Sequence, residues 1–253
     1  MSFESNYEVD VEVISPIEKI FKENKKGYFV LIDPAKKIDL EKILKNVNTS
    51  SVDGIFIGGS DKKIKGFDRY ILSVKKNTKK PVFIFPGSHY QISNRADFLL
   101  LLFLLNTRKL DYIIGEHVDG AENLYKSSLK IIPTSYILCM ENRKTSVAKR
   151  VPINFIKDMK TFLNYIYLSE ISNFKTVYLE AGSGSDKTVP LKFIKSAKKI
   201  LSKPLLVGGG IKDGETAFSI LESGADFIIT GNSIENDPDK IFEFSEVVKI
   251  FKR

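Results

Sequence analysis

Eight short apolar runs rich in β-branched and aromatic residues recur along the chain: Tyr28–Ile32, Gly54–Ile57, Val82–Phe85, Tyr112–Ile114, Ile131–Ile137, Val177–Leu179, Leu205–Val207 and Phe227–Ile229. Between them, Asp39–Val47, Asp97–Leu105, Pro152–Ser169, Leu191–Ile200, Gly214–Ser223 and Pro238–Phe251 space their apolar residues at helical intervals. Strands that alternate with helices run parallel, because each crossover returns the chain to the same end of the sheet. Near-equal units predict closure into a (β/α)8 TIM barrel, with an open doubly wound sheet as the alternative. A chain of 253 residues, 43% of them hydrophobic, suffices for one such barrel, so the whole span 1–253 is read as a single domain. Ser15-Pro16 ahead of Ile17–Lys22 reads as an N-cap followed by proline at the first helical position. This extra helix would close the barrel floor before the first strand.

A net charge of +8 suits an anionic partner. The lysines are dispersed among acidic residues, however, without the dense basic block or interleaved aromatics of a nucleic-acid groove. Cys139 is the single cysteine, which leaves no intrachain disulfide and no cysteine cluster for zinc, and fits a reducing, cytoplasmic compartment. Residues Met1–Ile14 are acidic and lack the apolar core of a signal peptide. The longest apolar run, Phe98–Leu105, is too short to span a bilayer, so at most peripheral membrane contact is expected. That run has more hydrophobic residues than one buried helix face needs; it reads as a buried helix, a subunit contact, or a greasy wall for a lipid tail.

A parallel barrel carries its chemistry at the C-terminal ends of its strands. After strand six stand Tyr178, Leu179, Glu180, Ala181, Gly182, Ser183 and Gly184; after strand seven Gly208, Gly209 and Gly210; after strand eight Gly231, Asn232 and Ser233. Glycine lets backbone N–H groups face an anion, and a helix starting beyond adds the positive end of its dipole. Any one of these loops can be just a tight turn, but their conjunction after strands six to eight describes a phosphate cup. Asp33 ends strand one and Ser60 follows strand two; a carboxylate and a hydroxyl suit Mg²⁺, although Asp before Pro also forms turns. Glu180, beside the cup, is the candidate general base, unless it is a structural carboxylate paired with Lys212. His89 and His117 can reach the mouth or serve as hydrogen-bonded loop residues. The polar segment Met140–Arg150 reads as a lid or a long loop. A Gly-x-Ser-x-Gly elbow and Walker A spacing are both missing.

Leu31-Ile32-Asp33-Pro34, Gly54–Ser60, Phe85-Pro86-Gly87, Tyr178–Gly184, Gly208–Ile211 and Thr230-Gly231-Asn232 together resemble the geranylgeranylglyceryl phosphate synthase family, in order and spacing, over most of the chain. The resemblance implies Mg²⁺-dependent transfer of a prenyl group from geranylgeranyl diphosphate to the 3-hydroxyl of sn-glycerol 1-phosphate, the first ether bond of archaeal-type membrane lipids. Asp33 and Ser60 would hold the metal, and Tyr178 through Gly184, Gly208 with Gly209, and Gly231 with Asn232 would surround glycerol phosphate. It also implies a homo-oligomer, a dimer or hexamer, and related bacterial enzymes use a longer heptaprenyl donor. One departure stands out: the family commonly has Asp-Pro-Asp-Lys at strand one, and Ala35 replaces the second Asp. Competing readings are a phosphosugar isomerase barrel, which would need an acidic partner near Ser135-Tyr136-Ile137, and a barrel that binds an anionic lipid or phosphate without catalysis.

Overall fold

The computed structural model of the protein describes residues 14–59, 63–140 and 151–252. Eight parallel strands close into a barrel in sequence order: β1 (Gly27–Ile32), β2 (Gly54–Ile57), β3 (Val82–Ile84), β4 (Phe98–Leu104), β5 (Lys130–Leu138), β6 (Thr176–Glu180), β7 (Leu205–Gly208) and β8 (Phe227–Thr230). β1 closes the ring by pairing with both β2 and β8. The described helices are α1 (Pro16–Lys22) ahead of β1, α2 (Leu40–Thr49) and α3 (Phe67–Lys76) after β1 and β2, and α4 (Gly115–Tyr125) after β4. They continue with α5 (Met159–Ile171), α6 (Leu191–Lys198), α7 (Gly214–Glu222), α8 (Asn232–Asn236) and α9 (Lys240–Ile250). No described helix is long and apolar enough to cross a membrane.

Successive side chains of a strand point to opposite faces, so every strand feeds two cores. Val30, Ile32, Ile55, Ile57, Leu179 and Val207 pack outward under the helices. Phe29, Phe56, Phe83, Phe98, Tyr178 and Phe227 fill the interior. There Phe29 stacks on Phe56 with ring centroids 4.9 Å apart, and Phe83 on Phe98 at 4.6 Å. So many rings fit because Gly54 has none: a Cβ there would lie 2.7 Å from the Phe29 ring. Helix α1 seals the bottom as expected. Ser15 and Glu18 form a capping box around Pro16, and Ile17, fully buried, joins the interior aromatic cluster.

The fourth strand is not where the periodicity predicts. Tyr112–Ile114 lies at the end of a 3-10 turn (Leu110–Tyr112) that leads into α4. The strand is Phe98–Leu104, paired with β5 over seven residues, in place of the expected Asp97–Leu105 helix. The reason is physical: an unbroken apolar run with no polar face suits a parallel strand covered on both sides, and it is too short for a typical helix. Similarly, α5 starts at Met159 rather than Pro152, capped by Asp158, whose carboxylate accepts the Thr161 N–H at 2.7 Å. Ahead of it, Ile153 bridges Thr107 and the Asn154 N–H bonds Asn106. The Met140–Arg150 segment lies outside the described residues apart from Met140.

Three aspartates tie the N-terminal strand ends together. Asp53, Asp97 and Asp226 precede β2, β4 and β8, and accept the N–H groups of Tyr28, Val82 and Leu205 on neighbouring strands. Each also pairs with a lysine: Lys252, Lys75 and Lys198 respectively. Asp226 is the most enclosed, its side chain 7% exposed, and takes Lys26 as well. Replacing Asp226 with Ala leaves the Leu205 N–H without its acceptor and should cost on the order of 2 kcal/mol in urea denaturation. Lys26→Ala should cost less than about 1 kcal/mol. Equal effects would show that the pairs act only as surface charges.

Candidate active site

The crossover from β3 to β4, residues 85–97, contains turns and no helix. In a regular barrel a helix would cover the outer face of these strands. Here Leu99 and Leu101, which point outward from β4, line a cavity instead. The same cavity continues over the barrel mouth to Asp33, Lys36, Gly59, Glu180, Ser183, Gly231, Asn232 and Glu235. Its volume is about 190 Å³. One end is polar and set at the strand C-termini; the other is an apolar arm between β4, α4 and the loop after β3, with Ile92, Leu102, Leu104 and Leu124 in its walls. Leucines of the 98–105 run therefore line a cavity, carried on a strand rather than a helix.

Glu180 closes β6, and the alternation along that strand turns Tyr178 and Glu180 inward while Leu179 and Ala181 pack under the helices. Glu180 is 6% exposed. Burial pushes its carboxyl up to about 7, against the opposing pull of hydrogen bonds from the Gly182 N–H and the Tyr178 hydroxyl. Gly182 N lies 2.5 Å from Oε1. Around this carboxylate the rings of Phe85, Tyr136 and Tyr178 gather, with Phe85 5.3 Å and Tyr136 5.4 Å from Tyr178 between centroids. Lys212 pairs with Asp186 at 3.3 Å, both exposed, and so does not neutralise Glu180.

The glycines at the end of β7, Gly208 and Gly209, are required by packing. A Cβ on Gly208 would lie 2.0 Å from the Tyr178 hydroxyl, and one on Gly209, whose φ is +80°, 2.1 Å from Glu180 Oε1. They make room for the Tyr178–Glu180 pair. Two N–H groups of the expected cup are also engaged: that of Ala181 with the Gly208 carbonyl and that of Gly182 with Glu180. Ser183, Gly231 and Asn232 do reach the cavity, while Leu179 and Ala181 present no side chain to it. Gly184 stands next to Asn232, with its Cβ position 3.6 Å from Nδ2.

Asp33 lines the polar end, its carboxylate packed against Gly59, where a Cβ would come within 2.4 Å of Oδ1. Oδ1 accepts the Ala35 N–H at 2.9 Å, the local turn that Asp-Pro favours. None of the described residues donates a hydrogen bond to its other oxygen. Ser60 lies outside the described residues, and among those described no cluster of three acidic, histidine or cysteine side chains forms. A partly buried carboxylate with one oxygen that takes no hydrogen bond from the described residues fits a cation that keeps most of its waters, as Mg²⁺ does. His89 is bound by Glu116, Nδ1 to Oε2 at 2.6 Å, and His117 reaches the Leu102 carbonyl at 3.0 Å, so both histidines fasten the cavity wall. Lys36 and Glu235 were not among the expected site residues. Lys36 sits in the Asp33–Lys36 turn, and only folding brings Glu235 beside it, 199 residues on.

Residues 18–249 match the PcrB family. A geranylgeranylglyceryl phosphate synthase of Spirosoma linguale is 33% identical over 90% of this chain and 94% of its own length. One from Pyrococcus horikoshii is 37% identical over 84% and 85%. Among solved structures, the (S)-3-O-geranylgeranylglyceryl phosphate synthase of Thermoplasma acidophilum, in complex with its substrate sn-glycerol-1-phosphate, superposes with a TM-score of 0.86 at 32% identity, covering 94% of this chain and 99% of that one. A thiamine phosphate pyrophosphorylase from Pyrococcus furiosus, at 12% identity and TM-score 0.58, shares the fold alone. With the family match over residues 18–249, the relatives' identity over most of the chain and the barrel in agreement, this chain belongs to the PcrB family.

Proposed function

We propose that the chain is a prenyltransferase that moves the geranylgeranyl group from geranylgeranyl diphosphate to the 3-hydroxyl of sn-glycerol 1-phosphate. The observation that carries this reading is the single cavity that joins an enclosed carboxylate near neutrality to an apolar arm. Such a shape takes a polar acceptor and a long hydrocarbon and holds their reacting ends together. The synthases of Spirosoma linguale and Pyrococcus horikoshii are named for geranylgeranylglyceryl phosphate, and that of Thermoplasma acidophilum is seen with its substrate sn-glycerol-1-phosphate, which supports this acceptor and this prenyl group.

In this reaction the bond from the allylic carbon to the diphosphate oxygen breaks, and a bond from that carbon to the glycerol oxygen forms. Glu180 takes the hydroxyl proton, for which a carboxylate with a pKa of about 7 is well matched. The Tyr178 hydroxyl and Gly182 N–H keep that carboxylate in place. Phe85 and Tyr136 line the cavity beside it, and their ring faces stabilise positive charge on the allylic carbon as the leaving group departs. Ser183, Gly231 and Asn232 bind the acceptor phosphate, and Leu99, Leu101, Leu102 and Leu104 shield the tail from water. Asp33 with Ser60 would hold Mg²⁺, which when bound supplies positive charge for the diphosphate leaving group. Cytoplasmic location and self-association belong to the same reading. The latter is supported by exposed apolar side chains such as Tyr125 and Ile171, 91% and 82% exposed.

The reading is tested by product formation from radiolabelled sn-glycerol 1-phosphate and geranylgeranyl diphosphate, with and without Mg²⁺. An ether product that needs Mg²⁺ and does not form from the sn-3 enantiomer is expected. Product only with a heptaprenyl donor would keep the chemistry and change the donor; none with any donor would refute the assignment. Glu180→Gln should lower turnover by about a hundredfold or more while leaving glycerol phosphate binding intact. Because Glu180 accepts a proton only when ionised, wild-type turnover should rise with pH up to about 7 and then level. A flat profile from pH 5 to 8, at the ordinary precision of such assays, would exclude Glu180 as the base.

A further inference from the structure

Lys36 and Glu235 form an ion pair at the rim of the barrel mouth, joining the loop after β1 to α8, the short helix after the neighbouring strand β8. Lys36 Nζ contacts Glu235 Oε2 at 2.5 Å and Asn232 Oδ1 at 2.8 Å. The Glu235 side chain is only 5% exposed, and its other oxygen accepts the Asp33 N–H at 3.1 Å. The lysine is therefore held in place by an enclosed carboxylate that is itself tied to the β1 loop. All four residues line the cavity.

The consequence falls on Asn232. An amide has an acceptor end and a donor end of nearly the same shape, so its orientation is decided by its partners. Asn232 Oδ1 accepts twice, from Lys36 and from the Ser183 hydroxyl at 3.3 Å. Its NH₂ is thereby turned the opposite way, toward Gly184, and none of the described residues accepts from it. A pair of unspent donors beside the loop after β6 suits a phosphate oxygen; the flipped amide would offer that oxygen a carbonyl and repel it.

Resting on the acceptor assignment above, we propose that Lys36 is a positioning residue: fixed by Glu235, it locks the Asn232 amide with its donors presented to the phosphate of the acceptor. Lysine is needed for its charge and its lack of any acceptor, which together allow only the Oδ1-facing orientation. Lys36 thereby links the loop that carries Asp33 to the loop that carries Asn232.

The test is calorimetric binding of sn-glycerol 1-phosphate alone, which requires no turnover. Lys36→Met should weaken binding about tenfold, the loss of one charge-assisted hydrogen bond's worth of orientation. Lys36→Arg should restore it. In an Asn232→Ala background, which removes the amide to be oriented, Lys36→Met should add less than about a twofold change. If the wild type binds and Lys36→Met binds equally well, the inference fails and the acceptor assignment stands. If the full tenfold effect persists in Asn232→Ala, Lys36 acts on the phosphate by itself and the positioning role is refuted. If the wild type does not bind, the acceptor assignment falls and takes the inference with it.

Discussion

A parallel strand can turn only every second side chain inward, and on β6 that parity places Tyr178 and Glu180 inside while Val177, Leu179 and Ala181 pack under the helices. The barrel's aromatic filling ends at Tyr178, and the hydroxyl of that ring bonds the carboxylate of Glu180. The neighbouring strand gives way to both: β7 ends in Gly208 and is followed by Gly209, where any side chain would collide with them. An enclosed carboxylate is costly unless hydrogen-bonded, and the two donors around Glu180 only partly offset its desolvation. That imbalance leaves the Glu180 carboxyl titrating near neutral pH, as its proposed role as the base requires. Packing that builds the barrel thus also sets the ionisation of this carboxylate.

Substrate shape follows from a second departure, the missing helix between β3 and β4. The outer face of β4 carries Leu99 and Leu101, and the Phe98–Leu104 run is apolar on both faces. Leu99 and Leu101 on the outer face, and Leu102 and Leu104 on the inner one, all line the cavity. The His89–Glu116 pair fastens the loop after β3 to α4 across its apolar arm. The cavity is thereby amphiphilic from end to end, as a reaction between a phosphorylated polyol and a hydrocarbon requires.

Much of this was legible in the sequence. Seven of the eight expected runs overlap the observed strands, because short apolar runs rich in β-branched and aromatic residues mark strands buried on both faces. Strand four was misplaced because an apolar run without alternation looks alike as helix or strand, and only the closed sheet decides. Ser15-Pro16 was readable because capping is local. Glu180 was found from its place after a strand; its shifted pKa was not, since burial by Tyr136, Tyr178 and Phe85 comes from three different strand ends. Gly208 and Gly209 were read as part of the phosphate cup, and their packing need was not legible, because the atoms that a side chain there would meet belong to the adjacent strand. Glu235 had no local signature, because its partners Lys36 and the Asp33 N–H lie at the other end of the chain.

The state of the Glu180 carboxyl is the quantity on which the chemical account turns. It can be followed directly by NMR titration of the protein carrying isotope-labelled glutamate, with Glu180→Gln identifying the resonance. The account predicts a midpoint of about 7 in the wild type. It predicts a higher midpoint in Tyr178→Phe, because the hydroxyl that stabilises the ionised form is gone. A wild-type midpoint in the ordinary glutamate range, about 4.3, unchanged by Tyr178→Phe, would contradict it.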